Sequence, residues 1–308
     1  MSYVYFLAGE NLELAERELK GFLKSKDIEE EPSREGRIAF TESEPDQLKR
    51  LALTHEVTEK LARTTLEKLE TDYRPKGSFA VRAKDLTDRD RKEEVEKRLG
   101  KKLSTEENTV DLERPDETVK AYILEDEVVI GKLVLDIDRG LFEKRKNQER
   151  PFSSPVSLDP VLARVLVNLS EASAGETVLD PFCGTGGILI EAGLCGIGVL
   201  GLDIKEEMVK GARENLEEYG IIAHDIRQEE ASDALEVFGN EFSAVITDLP
   251  YGKASKMTGE YLDDFEEILE EFEGKKVFMW NEDEFRGYEA DFSVYIHKNL
   301  TRYIFIVD

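Results

Sequence analysis

The run Thr177-Val-Leu-Asp-Pro-Phe-Cys-Gly-Thr-Gly-Gly187 limits what this chain can become more than any other stretch of it. Val178 and Leu179 read as the end of a buried strand, Gly184, Gly186 and Gly187 as a tight turn, and Ile188 to Gly193 as the helix that follows. A strand, a glycine loop and a helix in that order make a nucleotide-type site, with glycine letting the backbone approach a ligand without a Cβ in the way. A pyrophosphate fingerprint needs Gly-x-Gly-x-x-Gly/Ala, and the sixth position counted from Gly184 is Leu189, which disfavours a dinucleotide.

The residues around this loop alternate regularly. Strands are expected at Val178, Val199, Ile221, Val245 and Val277, with helices from Gly187, over Glu206 to Tyr219, Ala231 to Phe238, and Leu262 to Phe272. That pattern specifies an α/β domain with a doubly wound parallel sheet. Residues 294 to 297 and 302 to 307 flank a turn as a hairpin, which adds an antiparallel strand that NAD-binding sheets lack. Ligands in such sheets lie at the carboxyl ends of the strands, so Asp180, Asp203, Asp225 and Asp248 gather at one edge. Asp203 ends its strand 19 residues after Gly184, about where a carboxylate meets ribose hydroxyls.

Charge divides the chain. Residues 1 to 150 hold 30 Lys and Arg against 36 Asp and Glu, a net of −6, while residues 151 to 308 hold 12 against 32, a net of −20. Residues 74 to 102 contain 11 basic and 6 acidic side chains, and residues 139 to 150 contain 5 and 2, so a polyanion has somewhere to dock. Two cysteines, Cys183 and Cys195, and three scattered histidines imply no disulfide framework and no metal. No stretch of 18 apolar residues and no signal-like start are present, so the expectation is a soluble, cytoplasmic protein.

The N-terminal half reads as two small α+β units. Residues 1–66 give a strand at Tyr3 to Ala8, a helix from Asn11 to Leu23, a strand at Arg37 to Phe40 and a helix from about Asp46 to Leu61, a ferredoxin-like arrangement. Residues 67–140 give a strand at Ser78 to Ala83, a helix from Arg89 to Leu99, a strand at Thr109 to Leu112, and a hairpin of Val119 to Leu124 with Val128 to Leu135. Residues 141–152 are charged, aperiodic and run into a proline, which reads as a linker before a domain spanning 153–308.

The pattern Phe182-x-Gly184-x-Gly186 resembles the loop that Rossmann-type methyltransferases wrap around S-adenosylmethionine, and Asp248-Leu249-Pro250-Tyr251 resembles their Asp/Asn-Pro-Pro-Tyr/Phe motif for exocyclic amines of nucleobases. Residues 67–140 look like a THUMP RNA-binding domain, and the run from Pro151 resembles the segment preceding the cofactor loop in archaeal tRNA guanine-N2-methyltransferases. Taken whole, the chain resembles the archaeal family that methylates N2 of guanosine 10 in tRNA. The resemblance implies S-adenosylmethionine as cofactor, held by Pro155, Asp180, Phe182, Cys183, Gly184, Gly186, Asp203, Ile204, Asp225 and Ile226. Asp203 would grip both ribose oxygens and Asp225 the adenine amino group, with Ile204 and Ile226 on the ring faces. Cys183, inside the loop, suits packing rather than nucleophilic attack.

The guanine amino nitrogen is a weak nucleophile because its lone pair is delocalised into the ring. Asp248 and the Leu249 carbonyl would accept its two hydrogens, Pro250 biases Leu249 to an extended backbone, and Tyr251 would stack on the extruded base. Leucine replaces the commoner proline at 249, a position where only a carbonyl is required. Arg74, Lys76, Arg82, Lys84, Lys144, Arg145, Lys146 and Arg150 are the candidate contacts to tRNA. One or two methyl transfers are compatible with the motif. Other readings are a THUMP-type methyltransferase for another tRNA position or for ribosomal RNA, and a non-catalytic RNA-binding protein with a vestigial pocket. Some members of the family pair with a small zinc-binding activator protein. Neither a membrane nor DNA is implied.

Overall fold

In the computed structural model, which describes residues 1–43, 46–87, 89–154, 157–239, 241–250, 260–297 and 300–308, the chain divides into two compact units. The first comprises Met1–Glu16, Glu30–Lys49 and Thr54–Asp138, and the second Arg17–Glu29, Arg50–Leu53 and Arg139–Asp308.

The first unit is built on β1 (Tyr3–Leu7), the start of α1 (Leu12–Lys24), β2 (Ser33–Glu35), β3 (Ile38–Thr41), β4 (Thr54–Thr65), β5 (Gly77–Asp85), α2 (Lys92–Leu103), β6 (Asn108–Val110), β7 (Glu117–Ile123) and β8 (Glu127–Asp136). One eight-stranded sheet in the order β2-β3-β1-β4-β8-β7-β5-β6 carries strands from either side of residue 66. Helix α2 buries Val95, Leu99 and Leu103, spaced four apart on one face, against Phe79, Val81, Val119 and Ile130.

The helix expected over 46 to 61 is instead the long strand β4, preceded by a single helical turn at Leu48–Arg50. Its β-branched residues Thr54, Val57 and Thr58 are buried between β1 and β8 on either side. Polar residues that blur its alternation are buried too, and Glu56 is met there by Lys120 Nζ at 2.6 Å and the Tyr122 hydroxyl at 3.0 Å, both from β7.

In the second unit follow α3 (Gly140–Glu143), α4 (Pro160–Leu169), β9 (Thr177–Asp180), α5 (Gly187–Gly193), β10 (Gly198–Leu202), α6 (Glu206–Glu218), β11 (His224–Arg227), α7 (Ala234–Phe238), β12 (Ala244–Asp248), α8 (Glu260–Glu271), β13 (Lys275–Trp280), β14 (Glu284–Phe285), β15 (Tyr288–Glu289), β16 (Phe292–His297) and β17 (Leu300–Val307). Asp159 caps α4 by accepting the Val161 N–H at 2.9 Å, and Pro160, lacking an N–H, sits in the first turn. The stretch expected as a bare linker carries α3, whose Phe142 is buried.

The sheet order is β11-β10-β9-β12-β13-β17-β16. Strands β9 to β13 run parallel, and β17 lies antiparallel between β13 and β16, so the expected terminal hairpin inserts its last strand inside the sheet. This is the Rossmann-type methyltransferase arrangement. Strand β11 starts three residues later than expected, because the Ile221 N–H closes the end of α6 on the Leu216 carbonyl at 2.9 Å. The core between sheet and α8 is aromatic, with Phe265 edge-on to Phe278 and Phe278 stacked on Phe305 at 4.7 Å.

Residues 17–29 and 50–53 join this unit through a buried polar knot. Glu18 accepts the N–H groups of Ala52 and Leu53, each at 2.8 Å, and the Asn168 amide at 2.7 Å. Arg50 donates to Asn168 Oδ1 at 2.7 Å and to the Ala172 carbonyl at 2.8 Å. Gly21 lets the helix come this close, since a Cβ there would lie 2.3 Å from the Asn168 carbonyl oxygen. Among the described residues no helix is long and apolar enough to cross a membrane, and no cluster of His, Cys, Asp or Glu could hold a metal.

Candidate active site

The sheet order reverses between β9 and β12, so the crevice outside their carboxyl ends is where a ligand is expected. Asp180 ends β9 and is buried, accepting the Thr247 hydroxyl from β12 at 2.7 Å and the Phe182 N–H at 3.1 Å. Burial disfavours its charge and pushes it up to about 7, with neighbouring Asp203 adding to the rise and the two hydrogen bonds opposing it.

The glycine loop folds as its composition demands. Gly184 and Gly186 both adopt positive φ, at 50° and 78°. The Gly186 N–H closes on the Cys183 carbonyl at 2.8 Å, and the Cys183 N–H ties the loop to the Leu202 carbonyl of β10 at 2.9 Å. Asp203 completes the cradle, with Oδ2 accepting the Gly184 N–H at 3.1 Å and Oδ1 the Lys205 N–H at 2.8 Å. Burial raises the Asp203 pKa against the pull of those N–H groups. A Cβ at Gly184 would meet nothing within 4 Å, so the loop is open where a ligand would lie across it. Burial pushes the Cys183 thiol well up, which fits a packing residue and not a nucleophile.

At the end of β12 the chain turns through Asp248, Leu249 and Pro250. The Leu249 N–H bonds the Met279 carbonyl of β13 at 3.1 Å, and the Pro250 carbonyl accepts the Tyr261 hydroxyl from α8 at 3.1 Å. From β17, Arg302 reaches the same point, its Nη2 contacting Asp248 Oδ1 and lying 3.4 Å from the Leu249 carbonyl and 3.3 Å from that of Met279. Arg302 is 2% exposed, and burial lowers its pKa to about 10, which leaves it cationic at neutral pH.

The segment before α4 is pinned over the loop. The Phe152 N–H donates to Asn215 Oδ1, and Asn215 Nδ2 donates to the carbonyls of Phe152 and Thr185, each at 2.9 Å. The Phe152 ring lies on Gly211 of α6, where a Cβ would fall 2.0 Å from it.

The family description "RMKL-like, methyltransferase domain" matches residues 147–281. The chain is 34% identical over 260 residues to the tRNA (guanine(10)-N2)-dimethyltransferase of Methanothermobacter thermautotrophicus, covering 79% of this chain and 76% of that one. It is 35% identical over 248 residues to the protein of the same name from Pyrococcus abyssi, covering 76% and 74%. The chain belongs to the tRNA (guanine(10)-N2)-dimethyltransferase family. Among solved structures it is similar to TrmN from Thermus thermophilus, with a TM-score of 0.57 and 22% identity over 99% of both chains, a likeness of fold.

For a member of this family the residues expected at the site are distributed as follows. Asp180, Cys183, Gly184, Gly186 and Asp203 form one continuous cradle, with Ile204 beside it, 41% exposed. Pro155 and Tyr251 lie outside the described residues. The Phe182 ring stands edge-on to Tyr261 and Phe265 at 6.2 and 6.0 Å, so it anchors the loop on α8. Ile226 is buried against Gly201 of β10. Asp225 accepts Arg227 Nη2 at 2.6 Å, level with Leu200.

The basic candidates separate into three groups. Arg74, Lys76 and Lys144 are exposed. Lys84 lies over the Phe6 ring at 4.6 Å, Arg82 donates to the Leu112 carbonyl, and Lys146 pairs with Glu143 at 2.7 Å. Arg145 and Arg150 turn inward, a correction to their expected phosphate role. Arg145 grips buried Glu191 through two bonds of 2.6 and 3.0 Å, and Arg164 meets the same carboxylate at 2.8 Å. Arg150 is buried, donating to the Arg145 carbonyl at 2.9 Å and Ser157 Oγ at 3.0 Å beside Gly187. Sequence reasoning passed over Thr247 and Arg302, although a cation inside the apolar strand Leu300–Val307 was a visible irregularity.

Proposed function

We propose that this chain methylates the N2 amine of guanosine 10 in tRNA with S-adenosylmethionine. The observation that carries the reading is the placement of Asp248 and the Leu249 carbonyl at the switch point, beside the open glycine cradle. Asp203, Ile204 and the Gly184 backbone would hold the nucleoside end of the cofactor, and Asp180 its amino-acid end. When bound, S-adenosylmethionine supplies a sulfonium methyl, whose carbon–sulfur bond breaks with the electron pair kept by sulfur as the carbon–nitrogen bond forms. Asp248 accepts one N2 hydrogen and the Leu249 carbonyl the other, which orients the nitrogen lone pair and stabilises the positive charge that develops there. Tyr251 stacks on the extruded base. One N2 proton leaves after transfer, when the methylated nitrogen is strongly acidic.

The first unit supports RNA binding in the manner of a THUMP domain, through exposed cations such as Arg74 and Lys76 and with Lys144 from the following segment. The protein acts in the cytoplasm, and a small zinc-binding subunit would be its activator. Treated tRNA analysed by nucleoside mass spectrometry, with the modified position mapped, tests the substrate. Asp248→Ala should lower single-turnover rate by roughly 10²–10⁴-fold with cofactor affinity intact, and Asp248→Asn, which keeps an acceptor oxygen, should fall between. Wild-type rates in both, or methylation mapped to another position, would overturn the reading.

A further inference from the structure

We infer that Arg302 is a positioning residue for this reaction, acting through Asp248. The inference rests on the reading of Asp248 given above. A cation this deeply buried persists only with a counterion and hydrogen-bond acceptors. Asp248 supplies a carboxylate in contact with it, and Nη2 also meets the carbonyls of Leu249 and Met279. One nitrogen on β17 therefore touches both acceptors assigned to the N2 hydrogens, the carboxylate and the carbonyl of the next residue.

Three consequences follow from that geometry. Arg302 engages Oδ1 of Asp248, which fixes the carboxylate plane and leaves Oδ2 as the oxygen presented to the base. It clamps the turn at Leu249 from the same side as the Met279 carbonyl, which already holds the Leu249 N–H at 3.1 Å. The contact also places a guanidinium charge beside the carboxylate that accepts the amine hydrogen. The amine hydrogen is held by Asp248 during methyl transfer, and the proton passes to water afterwards. The part of its effect that runs through the Asp248 carboxylate must be lost when Asp248 no longer carries charge, leaving only the weaker hold of Arg302 on the Leu249 carbonyl.

The test is a double-mutant cycle on the full chain. Single-turnover methylation of a tRNA transcript is measured for wild type, Arg302→Met, Arg302→Lys and Asp248→Asn, and for both Arg302 variants in the Asp248→Asn background. Binding of S-adenosylhomocysteine is followed by calorimetry in each. Arg302→Met, which keeps most of the buried stem, should lose roughly 10²-fold in rate, the scale for removing one preorganised donor, with cofactor affinity within about twofold. Arg302→Lys, a cation one bond shorter, should recover part of that loss. In the Asp248→Asn background either substitution should cost less than about threefold.

A wild-type rate in Arg302→Met beside an inactive Asp248→Ala would overturn the role of Arg302 alone. Undiminished loss in the Asp248→Asn background would overturn it as well, because Arg302 would then act by another route. Wild-type rates in the Asp248 variants would remove the site reading, and the inference with it. Should Arg302→Met fail to bind S-adenosylhomocysteine, the lysine variant carries the same cycle, and its loss must still shrink with the Asp248 charge.

Discussion

Asp180 offers the sharpest link between the burial seen here and a measurable quantity. Its pKa rises from the ordinary 3.8 to about 7, chiefly through desolvation. At about 1.4 kcal/mol per pH unit, that rise is on the order of 4 kcal/mol of differential stability. The sign is fixed by its direction: the folded state holds the proton more tightly than the unfolded chain. The contribution is therefore fully present below about pH 4 and is lost as pH climbs, levelling off above about 7. Asp180→Asn keeps an oxygen for the Thr247 hydroxyl but cannot ionise. Urea unfolding of both proteins at pH 5.5 and 7.5 should show the variant gaining about 2 kcal/mol on wild type across that interval. Any pH-independent cost of the substitution cancels in this comparison. Saturating S-adenosylmethionine, whose ammonium would favour the charged carboxylate, should shrink the wild-type slope and release protons on binding near pH 6. A stability difference that stays flat from pH 5.5 to 7.5 would refute the reasoning.

Asp203→Ala should weaken S-adenosylmethionine binding by roughly 1.5–3 kcal/mol, the scale for hydrogen bonds to a charged group, and unchanged affinity by calorimetry in a folded variant would sink the ribose assignment. Glu191→Ala leaves Arg145 and Arg164 without their shared carboxylate, so the denaturation midpoint should fall by the equivalent of about 3–5 kcal/mol; a loss below about 1 kcal/mol would contradict the buried pairing. Replacing exposed Arg74 and Lys76 together should reduce the salt dependence of tRNA binding by roughly one slope unit for each lost phosphate contact. Arg150→Met should leave that slope unchanged, and a slope that falls with Arg150 would restore the residue to the RNA surface.

How far the sequence could be read depended on whether the deciding partners were close in the chain. The cradle from Asp180 to Gly186 is contiguous, and its outside support, Asp203, belongs to the next strand of the alternation, so its spacing was legible. Asp248 and Leu249 stood out for the same reason, lying at the end of an apolar strand that turns at a proline. The helix expected at 46 to 61 failed because Glu56 and Thr58 look like a solvated face until strand β7 supplies Lys120 and Tyr122 to bury against them. Arg145 and Arg150, within the basic run at 144 to 150, turn out in the same direction. Arg145 reads as a phosphate contact until Glu191, on the helix after the glycine loop, is seen to take it. Arg302 lies 54 residues beyond Asp248, and only the insertion of β17 beside β13 brings the two together. In each case a charge was visible and its counterion was not. A lone cation within an apolar strand is costly without a buried carboxylate, so in a sheet whose strand ends already gather Asp180, Asp203 and Asp248, Arg302 marks Asp248 as the carboxylate that carries its counter-charge.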